Sequence, residues 1–176
     1  MKARAEAIRV GEPFSGESEM GPLVNQTQYQ RVQAHIAAGV QSGARLLCGG
    51  SRPAQLPCGY FVSPTVFTDV PLDSALWCEE IFGPVLCVRS FATEAEALAL
   101  ANDTEFGLVA SVLSRDLPAA ERVANALQAG LVWINAPQVI FAQTAWGGYK
   151  QSSLGRELGP WGLSAFQEIK HVVRAV

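Results

Sequence analysis

The chain has 176 residues, 49% of them hydrophobic and 16% charged, with a formal net charge of −3, an isoelectric point near 5.4 and a mean hydropathy of +0.16. It is long enough for one domain with a real core, its acidity argues against a nucleic acid partner, and no apolar run approaches the ~20 residues a membrane span needs. A typical domain carries about a quarter charged residues, so the shortage here predicts apolar surface that faces a missing neighbour or a second subunit.

Residues 1–10 mix charged and apolar positions (Lys2, Arg4, Glu6, Ile8, Arg9) and read as the end of a helix that Val10-Gly11-Glu12-Pro13 breaks. They contain no apolar run of the signal-peptide kind. The four cysteines form no C-x-x-C pair and have no accompanying His cluster. Reduced thiols in a cytoplasmic protein, and no metal site, are the expectation. A polar loop over 14–19 leads to Gly21-Pro22-Leu23-Val24 and then to a well-marked helix. Asn25 or Thr27 can cap it, Gly43 can close it, and Tyr29, Val32, Ile36 and Val40 recur at helical spacing. Gln28 and Arg31 stand three apart and share a face near its start. Residues 44–48 form a short strand candidate, and 49–53 a turn. Residues 60–67 are aromatic and β-branched, a strand whose Pro64 predicts a sheet edge or a bend. A short helix over 72–80 follows.

Two βαβ units come next. Residues 85–91 are the first strand. Thr93 and Glu96 form a capping box for a helix running to about Asn102, and Phe106-Gly107 turns the chain into a nearly all-apolar strand over 108–113. Asp116 caps the next helix, Pro118 is tolerated in its first turn, and Ala120, Val123 and Leu127 line its buried face. Gly130 ends that helix, and 131–134 is the third strand. This order predicts an α/β fold with a parallel sheet and right-handed crossovers. Regular patterning then stops. Residues 135–146 form a loop containing Pro137 with almost no charge, in which Val139, Ile140, Phe141 and Trp146 suit a pocket wall. A turn at 147–150 and Gly155-Arg156-Glu157-Leu158-Gly159-Pro160 come after it, then a helical turn at 161–166 and an exposed strand at 169–176.

One stretch organises the rest: Cys78-Glu79-Glu80-Ile81-Phe82-Gly83-Pro84-Val85. Pro84 pushes Gly83 out of the helical region, so two carboxylates and a ring sit at a corner that leads into a strand. A carboxylate can accept both hydroxyls of a ribose, and a ring beside it can pack on a flat heterocycle. The competing reading makes the glutamates solvated helix-end charges and Phe82 core. Cys78 invites a nucleophile role, but neither His35 nor His171 is near it in sequence; it reads as a spectator thiol, and both histidines as ordinary residues.

Together with Gly-Gly-Tyr-Lys at 147–150 and Gly-Arg-Glu-Leu-Gly at 155–159, this stretch resembles the NAD(P)-dependent aldehyde dehydrogenase superfamily over essentially the whole chain. The resemblance is to the C-terminal part of such an enzyme. It implies an incomplete catalytic domain over 1–157 and, over 158–176, a tail with an oligomerisation strand. The family's nucleophilic cysteine, general-base glutamate and dinucleotide-binding domain would lie upstream of Met1, so the chain alone is expected to be inactive. The resemblance also assigns roles. Glu80 would bind the nicotinamide ribose of NAD or NADP, Phe82 would pack beside the nicotinamide, and Leu108 would touch its ring. Gln28 and Arg31 would reach toward the same ribose, although two solvated side chains fit those positions equally. Trp146 and Ile140, with Phe141 beside them, would line the tunnel for the aldehyde substrate. The Trp at 146 matches members acting on trimethylammonium or amino aldehydes, where a cation–π contact favours a charged head group. Glu157 would order water or protons near the nucleophile; its plainer role is a salt bridge with Arg156 or an interface lysine. The family's Lys-x-Ser-Gly-x-Gly-Arg-Glu has Ser153 at its first glycine, which predicts local strain. A homo-oligomer, dimer or tetramer, is implied. The alternative is a stand-alone, non-catalytic homologue that binds a partner through the oligomerisation surface.

Overall fold

The computed structural model describes residues 1–136 and 138–176; Pro137, which the sequence puts in the loop after the third strand, lies outside the described residues. Two compact units result, Met1–Ser90 and Phe91–Val176.

In the first unit, α1 (Lys2–Glu6) is the expected N-terminal helix and α2 (Gln26–Gln41) the long one. Asn25 caps α2 by accepting from the Gln28 amide, and Gly43 closes it at φ +88°. The buried face differs from the predicted one at its end. Val32 and Ile36 are sealed and Tyr29 half-buried, but Val40 is exposed and His35 and Gly39 are buried instead. The cause is Leu76 of the one-turn helix α3 (Ala75–Cys78), whose side chain lies against Gly39 where any β-carbon would stand. Strands β1 (Arg45–Cys48), β2 (Thr65–Thr68) and β3 (Val85–Val88) form one sheet in that order. β1 runs antiparallel to β2, and β2 parallel to β3. Of the edge or bend expected at Pro64, the edge is overturned: β2 is central, and Pro64 stands just before its first residue, where its missing N–H costs the ladder nothing. Val32, Ile36, Phe67, Leu76 and Ile81 make the centre of the core, each contributing roughly 1.5–3 kcal/mol by leaving water.

In the second unit, α4 (Glu94–Asn102) starts at Thr93, whose hydroxyl accepts from the Glu96 amide. Glu96 reaches back to the amide of Ala92, one residue earlier than a capping box requires. β4 (Phe106–Gly107) pairs antiparallel with β7 (Tyr149–Lys150). β5 (Val109–Val112) and β6 (Leu131–Ile134) pair in parallel across α5 (Leu117–Ala126), and α6 (Gly159–Ser164) is the late helical turn. Asp116 caps α5 through the Ala119 amide, and Ala120 is its buried residue, with Val123 and Leu127 half-buried. Gly130 does not end this helix. Leu127 does so in extended geometry, and Gly130 lies where a β-carbon would collide with the Gly147 carbonyl.

The single parallel sheet predicted from the run of strands and helices is also corrected. Only the second βαβ unit closes on itself, as β5-α5-β6. β3 pairs residue for residue with β2, Thr65 opposite Val85 through Thr68 opposite Val88. The order of elements along a chain does not choose their neighbours; registers between distant segments do. Neither is β5 covered on both faces, since its residues alternate exposed and half-buried. Apart from Gly107, Gly147 and Gly148, Ala120 is the one buried residue of the second unit among the described residues. The tail is exposed as expected, with Ile169, Val172, Val173 and Val176 open to solvent. It forms no strand, because a strand needs paired backbone and nothing among the described residues pairs it.

Candidate functional site

The conspicuous stretch forms a turn between α3 and β3. Glu79 leaves α3 in extended geometry, and Val85 closes the turn by donating its amide to the Gly83 carbonyl at 2.8 Å. The left-handed residue of the turn is Phe82, at φ +55°. Gly83 is small for another reason: a β-carbon there would press on Val32. Ile81 is buried and anchors the turn, so its neighbours face out. Phe82 is 75% exposed, and the Glu80 carboxylate has no hydrogen-bond or ion-pair partner among the described residues. A free carboxylate beside an open ring fits a ribose-linked heterocycle by donor–acceptor matching.

Glu79 and Glu80 take different directions. Glu79 Oε2 lies 3.7 Å from Nε2 of His35, which is buried in α2. By sequence His35 is an ordinary residue. The signal that could have singled it out was spacing, since it falls seven positions after Gln28 and four after Arg31, on one helical face. Those two side chains do not project past the turn. Gln28 Nε2 donates to the carbonyls of Ile81 (2.9 Å) and Phe82 (2.8 Å), and Arg31 Nη2 donates to that of Glu80 (2.8 Å).

The second unit builds its own cluster around a two-way backbone bridge. Trp146 N donates to Glu157 O at 2.8 Å and Glu157 N to Trp146 O at 2.7 Å. Trp146 and Glu157 border a cleft of about 970 Å³ that Leu108, Arg156, Trp161 and Phe166 also line. Ile140 and Phe141 are exposed and do not line this cleft. They sit on the loop that Trp133 holds through a 2.9 Å bond from its indole N–H to the Val139 carbonyl. The Glu157 carboxylate makes no ion pair with Arg156, whose guanidinium lies 5.5 Å from the centre of the Tyr149 ring. Ser153 carries none of the predicted strain. Its φ is not positive, and its hydroxyl accepts from the Gly148 amide at 2.7 Å and donates to the Gly148 carbonyl at 3.2 Å. Positive φ falls instead on Gly147, Lys150, Gly155, Leu158 and Gly159.

The thiols bear no nucleophile geometry. Cys78 is exposed and its S–H donates to the Leu72 carbonyl at 3.1 Å, while burial pushes the Cys87 thiol above its ordinary pKa. Among the described residues no three His, Cys, Asp or Glu side chains gather to hold a metal.

Comparison with known proteins gives the family of the chain. The chain belongs to the aldehyde dehydrogenase family, whose profile matches residues 1–172. It is 48% identical to the chloroplastic betaine aldehyde dehydrogenase of Amaranthus hypochondriacus over 95% of this chain and 33% of that protein. It is 49% identical to the peroxisomal aminoaldehyde dehydrogenase 1 of Pisum sativum over 97% of this chain and 34% of that protein. The structure of betaine aldehyde dehydrogenase from Staphylococcus aureus in complex with NAD+ superposes with a TM-score of 0.90 at 42% identity, over 93% of this chain and 33% of that one. The chain thus spans about a third of the length of these relatives.

Proposed function

We propose that these residues act as the carboxy-terminal third of an NAD(P)-dependent aldehyde dehydrogenase of the betaine or amino aldehyde type, which oxidises an aldehyde to a carboxylic acid. The observation that carries the reading is the Glu80–Phe82 turn. Its backbone is tied to α2, and its unpaired carboxylate and open ring remain available to a ligand. When bound, the nicotinamide supplies the hydride acceptor. Glu80 then accepts the ribose hydroxyls, Phe82 packs beside the ring and Leu108 touches it. Trp146 gives the tunnel an aromatic wall against which a cationic head group is favoured, and Glu157 orders water. On this reading the thiolate and the general base come from outside these residues, so the chain alone is expected to reduce no NAD+ when given betaine aldehyde, propanal or benzaldehyde; NADH formation above a heat-killed control would overturn that expectation.

The test is a charge-neutral substitution in the complete enzyme. Glu80→Gln removes a charged acceptor and should cost roughly 1.5–3 kcal/mol of cofactor interaction, read as weaker NAD+ binding and slower hydride transfer at unchanged thermal stability. Unaltered affinity and rate would return Glu80 to the status of a solvated charge. A second reading, a non-catalytic partner-binding protein, draws on the exposed apolar tail at Ile169, Val172 and Val173. Turnover by a protein carrying this sequence would dismiss it.

A further inference from the structure

We infer that Gln28, Arg31 and His35 are positioning residues, a three-point grip from α2 that sets the backbone of the Glu80–Phe82 turn and acts on a bound nucleotide through that turn. The inference rests on the reading of the turn as a nicotinamide-ribose site. The carbonyls of Ile81 and Phe82 both reach the single amide nitrogen of Gln28. Between them Phe82 holds φ +55°, a region that residues other than glycine avoid. Both protons of the Gln28 amide are engaged there.

The other two contacts fix the turn's start. Arg31 takes the Glu80 carbonyl, one peptide upstream, and holds it toward the helix. His35, one further turn along α2, has Nε2 3.7 Å from the Glu79 carboxylate, close enough for an ion pair when the imidazole is protonated. Glu80 is left as the free carboxylate of the pair. Ile81, buried against Val32 and Ile36, pins the middle. With three backbone carbonyls held from one helix, and His35 beside the preceding carboxylate, the Glu80 side chain and the Phe82 ring are set in place before a ligand arrives.

The experiment is limited proteolysis of the complete protein with a glutamate-specific protease, paired with NAD+ titration. Cleavage after Glu79 or Glu80 needs the turn to open, and its rate follows the open population. Cleavage after Glu121, exposed on α5 in the other unit, is the control. Gln28→Leu and Arg31→Met should each raise turn cleavage about tenfold and weaken NAD+ about tenfold, the scale of a net hydrogen bond. Cleavage after Glu121 should stay constant. Arg31→Lys, which keeps a donor, should restore most of the protection, and His35→Gln should have a smaller effect of the same sign. Unchanged turn cleavage in both Gln28→Leu and Arg31→Met overturns the grip. A parallel rise at Glu121 also overturns it, since general loosening then suffices. A selectively opened turn with unaltered NAD+ affinity upholds the grip and instead defeats the ribose reading of Glu80.

Discussion

Trp146 serves two tasks with different parts of itself. Its backbone is locked to Glu157 in both directions, while its ring borders the cleft. Exchange of the ring should therefore leave the bridge in place and act on ligands alone. Trp146→Leu should harm a trimethylammonium aldehyde more than an aliphatic one, by about 0.5–2 kcal/mol in the ratio of specificity constants. Equal losses in kcat/KM for both aldehydes would mean that the ring gives only apolar area. The motif residues were legible in the sequence because Glu-Glu-Ile-Phe-Gly-Pro is a contiguous string. Their support was not. Nothing local to Gln28 and Arg31 reveals that both bind carbonyls about fifty positions away, and His35 looks like any helical histidine until Glu79 is set beside it.

At the level of elements, caps and turns could be read because each is decided within a few residues. Thr93 and Asp116 cap the helices expected of them, and of the two candidates Asn25 and Thr27 it is Asn25 that caps α2. Strand partners could not, because β3 chooses between β2 and β5 on the basis of buried registers rather than order. The helices of the second unit show a further link hidden from sequence. Arg122 of α5 binds both oxygens of Glu94 of α4, at 2.9 and 2.7 Å. At their other ends the Asn102 side chain ties α4 to the Ala126 carbonyl and the Gln128 amide. Lys150 Nζ caps the end of α4 through the carbonyls of Asn102 and Thr104. Arg122 lowers the Glu94 carboxyl below its ordinary pKa. A lowered carboxyl stabilises the fold above its unfolded pKa of ~4.3, and that contribution fades as pH falls through the folded value. Arg122→Met should therefore melt below the wild type at pH 7, with the two melting curves converging in acid. A gap that persisted at low pH would show that Arg122 acts through packing of its stem.

For the whole molecule, the low charge content foretold the open second unit. Its exposed Leu113, Leu154, Trp161 and Phe166 contrast with the sealed core around Phe67. The tail extends this exposure, and an unpaired, mostly apolar segment is a hazard that proteins cover. We expect Ile169 to Val176 to be satisfied by strand pairing with a neighbouring subunit, giving a dimer or a dimer of dimers in the complete enzyme. Deletion of residues 169–176 should lower the mass measured by light scattering. An unchanged mass would assign the assembly to other surfaces.

Gly130 shows how strictly such an arrangement can legislate for a single position. The chain passes there so close to the carbonyl of Gly147 that no β-carbon fits between them, and Gly147 is joined directly to Trp146. Alanine at 130, the mildest change available, must push Gly147 aside, and the shift travels at once to the Trp146–Glu157 bridge. Of all the genetically encoded residues one is admissible. A position with no side chain, in no motif and touching no ligand, will therefore look in any mutational survey as intolerant as the nucleophile of an enzyme.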